Sequence, residues 1–177
     1  MLSIFKKKNT GAGVTKEPSD SPPHLTVTAK TTQADVMDWA HQMVDRGVGR
    51  GEIHAYLHKT AERVAQESKG QAFAAERAVS YAAMQFEDEM IKYDSRAREL
   101  ERTDQIEEAI VLYETSLAED WPWPDPYERL RIIYTKQKKY EDALRVCHAA
   151  IAKFGARGKP AVCDTATIEK LTELKNR

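Results

Sequence analysis

The chain is poor in the residues that staple and punctuate small folds. It has two cysteines, eight glycines and seven prolines in 177 residues. Two cysteines cannot build a disulfide framework. Cys147, in an expected helix core, and Cys163, in an expected loop, read as free thiols suited to a reducing compartment. No apolar run nears the roughly 18 residues of a membrane-spanning helix, so no transmembrane segment is expected. The opening Met1 to Phe5, followed by Lys6, Lys7 and Lys8, carries its charges after a short apolar patch, the wrong order for a signal peptide. Through Leu2, Ile4 and Phe5 it offers only weak membrane-surface contact. The expected location is cytoplasmic. Net charge is almost absent too, with 27 Lys and Arg against 28 Asp and Glu.

What is present is helical periodicity and a polarity of charge. Residues 71 to 122 hold 13 acids and 5 bases, whereas residues 123 to 177 hold 12 bases and 7 acids. Two readings follow: helix faces that attract each other within the fold, or a basic end that meets an acidic partner or nucleic acid. Residues 1 to 32, rich in Lys, Thr, Ser, Gly and Pro, read as a disordered leader, although Leu25, Val27 and Ala29 alternate as a short strand would. From Gln33 the residues Val36, Ala40, Met43 and Val44 share one side of a helix that Gly47 is placed to end. A second helix, from Arg50 or Gly51 to Ser68, carries Ile53, Leu57, Ala61 and Val64. Together they predict an N-terminal hairpin over residues 33 to 70. Beyond Gly70, Val79, Ala83, Phe86, Met90, Tyr93, Ala97 and Leu100 recur at spacings of four and three, a heptad seam on one long helix from Gln71 to Arg102. The seam either packs on neighbouring hairpins or pairs with a second copy.

A 34-residue echo runs through the rest. Glu107-Glu108-Ala109-Ile110 returns as Glu141-Asp142-Ala143-Leu144, Tyr93 as Tyr127, Leu100 as Tyr134 and Leu117 as Ile151. Helices are expected from Asp104 to Glu119, Asp125 to Gln137 and Tyr140 to Phe154. The prolines Pro122, Pro124 and Pro126 break the chain between the first two. Gly155, Gly158 and Pro160 form a loop, and Asp164 or Thr165 caps a last helix bearing Ile168, Leu171 and Leu174.

This order of residues resembles the tetratricopeptide repeat family. The second copy carries it best, with Tyr127, Leu130 and Tyr134 on a first helix and Ala143, Cys147 and Ala150 on a second. The first copy has Tyr93, Ala97, Leu100, Ala109, Tyr113 and Leu117. It departs from the pattern at Arg96, where Leu is usual, as the second does at Arg131, where Gly or Ala is usual. Trp121 stands at the closing Pro. The resemblance covers Tyr93 to the C-terminus. It implies an all-α fold: a right-handed array of antiparallel helical hairpins, here with the additional N-terminal hairpin, and residues 71 to 177 forming a long helix, two repeat-like hairpins and a capping helix. It also implies a non-enzymatic scaffold that binds a peptide or helix of a protein partner on a concave face made by the first helix of each hairpin. The residues at those places are Asp94, Arg98, Glu101, Arg102, Glu128, Ile132, Thr135 and Lys136. The Lys and Asn set that holds a terminal carboxylate in some members is missing, with Asp94, Arg98 and Arg129 nearest. The alternatives are a homo-oligomer assembled through the Val79 to Leu100 seam and a nucleic-acid accessory protein using the basic C-terminal half.

Chemistry-bearing constellations are sparse. His54 and His58 stand four apart on one helix face, as a zinc pair would, with His41, Glu62 or a distant residue needed as third ligand. They read as solvated histidines, and neither a metal nor a cofactor is expected. Cys147 and His148 are adjacent, so their side chains diverge by about 100° on a helix and form no dyad. Gly47, Gly49 and Gly51 precede a helix start without matching a phosphate loop, and read as a turn. The 35 to 67 hairpin has only Arg50, Lys59 and Arg63 as cations in its second helix, too few for a DNA-reading element. Glu87-Asp88-Glu89 reads as solubility, and no catalytic set can be singled out.

Overall fold

Helices form wherever the apolar periodicity runs, and most end in a turn whose chemistry is legible. The computed structural model describes residues 24–68, 73–155 and 163–177, and its described elements are seven α-helices with no strand. They are α1 (Gln33–Asp45), α2 (Arg50–Ser68), α3 (Phe73–Arg102), α4 (Ile106–Ala118), α5 (Asp125–Lys136), α6 (Tyr140–Phe154) and α7 (Thr165–Lys175). The leader expectation for residues 1–23, with its membrane-contact candidates, lies outside the described residues, as do Gly70 and the loop at Gly158 and Pro160. No described helix is long and apolar enough to cross a membrane.

Thr32 and Asp35 start α1 with a reciprocal capping box: the Thr32 N–H donates to the Asp35 carboxylate at 2.8 Å, and the Asp35 N–H to the Thr32 hydroxyl at 3.2 Å. These bonds to Thr32 hold the Asp35 carboxyl below its ordinary range. Asp164 caps α7 through the Thr167 N–H. At the other ends, α1, α3, α4 and α5 close with one motif. Its left-handed residue is Gly47 (φ 85°), Asp104 (φ 62°), Asp120 (φ 58°) and Lys138 (φ 59°). The next amide bonds back to the carbonyls of Met43, Leu100, Ser116 and Tyr134 respectively. This pairing satisfies carbonyls that a helix end leaves open. Asp104 is thus the stop of α3 and not the start of the following helix, a correction to the sequence expectation.

Asp104 and Lys138 are 34 residues apart, and the residues after them share a backbone geometry: Gln105 at φ −91°, ψ 61° and Lys139 at φ −84°, ψ 66°. The carbonyls of Gln105 and Lys139 then accept the Ala109 and Ala143 amides, each at 3.1 Å. The sequence echo is therefore also an echo of backbone. The small residues Ala109, Ser116, Ala143 and Ala150 are all buried, which lets paired helices approach.

α3 is one unbroken helix of 30 residues, about 45 Å long. Its seam is shared between two cores. Val79, Ala83, Phe86 and Met90 pack with α1 and α2 residues Val36, Met43, Ile53 and Leu57, while Ala97 and Leu100 join Tyr113, Leu130, Val146 and Leu171 of α4 to α7. The seam is thus consumed within the chain. Trp121 is fully buried and belongs to the N-terminal core, so the connection between the hairpins plugs the base on which they stand. From His24 the chain lies against α2: Leu25 is buried, and its N–H donates to the Tyr56 hydroxyl at 2.9 Å. That is a core position the leader expectation does not give it.

Cys147 and Cys163 are not free thiols. They form a disulfide with Cα atoms 5.3 Å apart that ties α6 to the start of α7. Both are buried. The expectation failed because a packing position in a helix and a loop residue 16 positions later have no fixed distance in sequence. The pairing also removes the ground for placing the chain in a reducing compartment.

The charge polarity is met in part inside the fold. Arg129, Arg145 and Lys153 of the basic half pair with Glu101, Glu114 and Asp120 of the acidic one. Tyr134 adds its hydroxyl to Glu114 at 2.6 Å, and burial together with that carboxylate pushes the phenol well above its ordinary range.

Candidate functional site

The residues expected to face a partner divide by helix. On α3, Arg98 donates to Asp94 at 3.0 Å and to Asp125 at the start of α5. Glu101 accepts from Arg129 of α5 and, at 3.3 Å, from the Tyr113 hydroxyl. Arg102 donates to Glu99 at 2.9 and 2.7 Å. Two ion pairs thus clip α3 to α5, the first helices of the two hairpins. The hydrogen bond to the Glu101 carboxylate raises the Arg129 guanidinium above its ordinary range. Burial, with Glu101 and Asp94 nearby, pushes the Tyr113 phenol above its ordinary range.

On α5, Glu128 and Lys136 are exposed, and Ile132 and Thr135 are half-buried. The Thr135 hydroxyl is committed to the Arg131 carbonyl at 2.7 Å. Arg98, Glu101, Arg102 and Arg129 line a shallow depression of about 320 Å³ between the two helices. The structure therefore brings the α3 candidates together, but with much of their charge answered internally. Asp125 and Glu99 are the partners the sequence reading missed. The separation of 27 residues between Arg98 and Asp125 is meaningful only once the fold brings the start of α5 to α3.

A larger recess of about 900 Å³ lies on the N-terminal hairpin, where His24 and Leu25 meet Tyr56, Lys59, Glu62 and Arg63 of α2. No sequence motif marks it. The aromatic connection is packed: Trp121 sits 5.4 Å from the Tyr93 ring and 5.8 Å from Trp123, centroid to centroid, and its indole N–H donates to Glu119 at 3.1 Å. Glu119 also accepts two bonds from Arg50, at 2.5 and 2.7 Å, and its carbonyl takes the Gly51 N–H at 2.9 Å. The start of α2 is therefore met by the chain's own carboxylate and carbonyl. Gly49 and Gly51 are where this backbone approach happens, a tighter role than the turn expected of them.

The third partner of His54 and His58 is Glu87 of α3. Glu87 Oε2 lies 3.9 Å from His54 Nε2 and 4.0 Å from His58 Nε2. His41, an expected candidate, is instead 2.9 Å from Glu89. Burial, then the neighbouring His58, lowers the His54 pKa against the opposing pull of Glu87.

Compared with known proteins, the chain matches no family model, no curated protein and no solved structure.

Proposed function

We propose that the chain is a non-enzymatic protein interaction module built as a right-handed, tetratricopeptide-like pair of hairpins on a helical base. It holds an extended peptide or a helix of a partner against the face shared by α3 and α5. The observation that carries this reading is the 34-residue recurrence of the same turn at Asp104 and Lys138, with the two first helices clipped side by side by Arg98–Asp125 and Arg129–Glu101. Repeat units of this kind bury one face against each other and leave another for binding.

Because Arg98, Glu101 and Arg102 are already paired, the partner is read mainly by Glu128 and Lys136, with Ile132 as the apolar contact. The matching ligand is amphipathic and carries both signs of charge. Exposed charges at such a rim act chiefly on recognition and on-rate. The test is affinity capture from the source cell with wild type and with the double charge reversal Glu128→Lys, Lys136→Glu. Neither residue is buried, so the melting temperature should hold while captured partners drop out. An unchanged set of partners from a folded variant would remove the reading.

Assembly through α3 is the second reading, and a different set of residues favours it. Tyr81, Met84 and Ile91 are exposed on α3, away from the consumed seam. Light scattering on a Met84→Glu variant separates the two: loss of a wild-type oligomer supports assembly, and a monomeric wild type ends it.

A further inference from the structure

His54 and His58 are one helical turn apart on α2, with ring centroids 4.4 Å from each other. Glu87 reaches the same point from α3. One ligand atom from each of the three residues lies within 4.8 Å of the other two. We propose that His54, His58 and Glu87 form a binding site for a borderline divalent cation of the zinc class, clamping α2 to α3.

Three observations carry it. The first is donor chemistry: two imidazole nitrogens and one carboxylate oxygen are a ligand set that zinc accepts. The second is distance. Zinc bonds of about 2.0 to 2.1 Å in a tetrahedron place neighbouring donors about 3.3 Å apart. The observed 3.9 and 4.0 Å from Glu87 to the two imidazoles, with every donor pair within 4.8 Å, therefore need contractions of about 0.6 to 1.5 Å. Glu87 and His58 are both partly open to solvent and can supply them by side-chain rotation. The third is an unmet need. Among the described residues, His54 Nε2 is buried with no hydrogen-bond partner, and the Glu87 oxygen is beyond hydrogen-bonding reach of it. An orphaned buried polar atom costs about 1 to 3 kcal/mol. A cation between the three donors would satisfy it and would also offset the carboxylate charge.

The site lies in the N-terminal base, away from the α3 and α5 face, and stands or falls independently of the proposed partner binding. Its inner ligand is fixed by packing: the His54 side chain is 15% exposed and the Trp123 ring stands edge-on to it at 6.0 Å. His58, at 47% exposed, marks the outer side. Three protein ligands leave the fourth tetrahedral position to water, the coordination of an open zinc site.

The test is calorimetric titration of the full, metal-stripped chain with zinc chloride, followed by cobalt substitution and its ligand-field absorption. One equivalent should bind, with a tetrahedral cobalt spectrum. The surface variants His58→Ala and Glu87→Gln, which leave the buried His54 in place and so preserve folding, should each weaken binding roughly tenfold or more, since even loss of an outer-shell partner costs that much. His148→Ala, remote from the site, should leave it unchanged. Absence of binding by wild type, or undiminished binding by both His58→Ala and Glu87→Gln, would overturn the proposal.

Discussion

Gly51 and Gly47 lack a side chain for different reasons, and substitution separates them. A Cβ at Gly51 would overlap the Asp120 carbonyl oxygen, where the backbone of the α4 end lies against the first turn of α2. Backbone cannot yield as a side chain can, so Gly51→Ala should cost about 3 kcal/mol or more. Gly47 meets nothing within 4 Å, but its φ of 85° lies in the left-handed region. Gly47→Ala should therefore cost only the conformational penalty, about 1 kcal/mol. Urea denaturation of the two variants should rank them in that order; equal midpoints would refute the close approach. The opposite change is available at Lys138, whose φ of 59° puts an L-residue in the same region. Lys138→Gly relieves about 1 kcal/mol or more of steric cost and gives back part of it as unfolded-chain entropy. A net gain of about 0.5 kcal/mol is expected, read as a rise in the urea midpoint, and a loss would show that the Lys138 side chain contributes contacts outweighing the strain.

Among elements, α7 depends most on a covalent tie. It buries Leu171 against the C-terminal core and is joined to α6 by Cys147–Cys163. Closing a loop of this length removes unfolded-state freedom worth about 3 kcal/mol. Cys163→Ala should lower stability by about that amount, and reductant should destabilise wild type similarly while leaving the variant unmoved. A reductant-insensitive wild type would mean that the cysteines are not joined. The helices themselves were legible in sequence because periodicity and helix boundaries are local: Gly47 and Asp164 mark ends that the structure keeps, and Tyr140 to Phe154 is helical over the span the sequence predicts. Legibility fails where the outcome depends on distance between elements. Cys163 reaching Cys147, Asp125 reaching Arg98 and Glu87 reaching His54 are all contacts across a turn or between helices. The candidate residues were legible as positions on two helices, α3 and α5, because helix periodicity is local. The internal pairing of Arg98 and Glu101 was not, since it depends on how closely those helices lie.

At the scale of the molecule, the question is whether the N-terminal base and the C-terminal helices unfold as one. The N-terminal core and the C-terminal core share few side chains, but α3 runs unbroken through both, and Trp121, from the connection between the hairpins, is buried in the base. Melting the C-terminal helices would pull Trp121 out of the base, together with Glu119 and its bonds to Arg50 and Gly51. Melting the base would strip the first two-thirds of α3 of its cover. Each unit thus exposes the other's buried surface, which argues for one cooperative transition. The chain carries its own reporter, because Trp39, Trp121 and Trp123, its only three tryptophans, all pack in the N-terminal core. Leu130 is fully buried in the other core, and Leu130→Ala should cost about 2 to 5 kcal/mol. If the molecule is one unit, tryptophan fluorescence and far-ultraviolet circular dichroism should share a midpoint in wild type, and Leu130→Ala should lower both equally although no tryptophan lies in the core it perturbs. A fluorescence midpoint that stays in place while the dichroism midpoint falls would divide the molecule at α3. The base would then be a separate folding unit carrying the two hairpins.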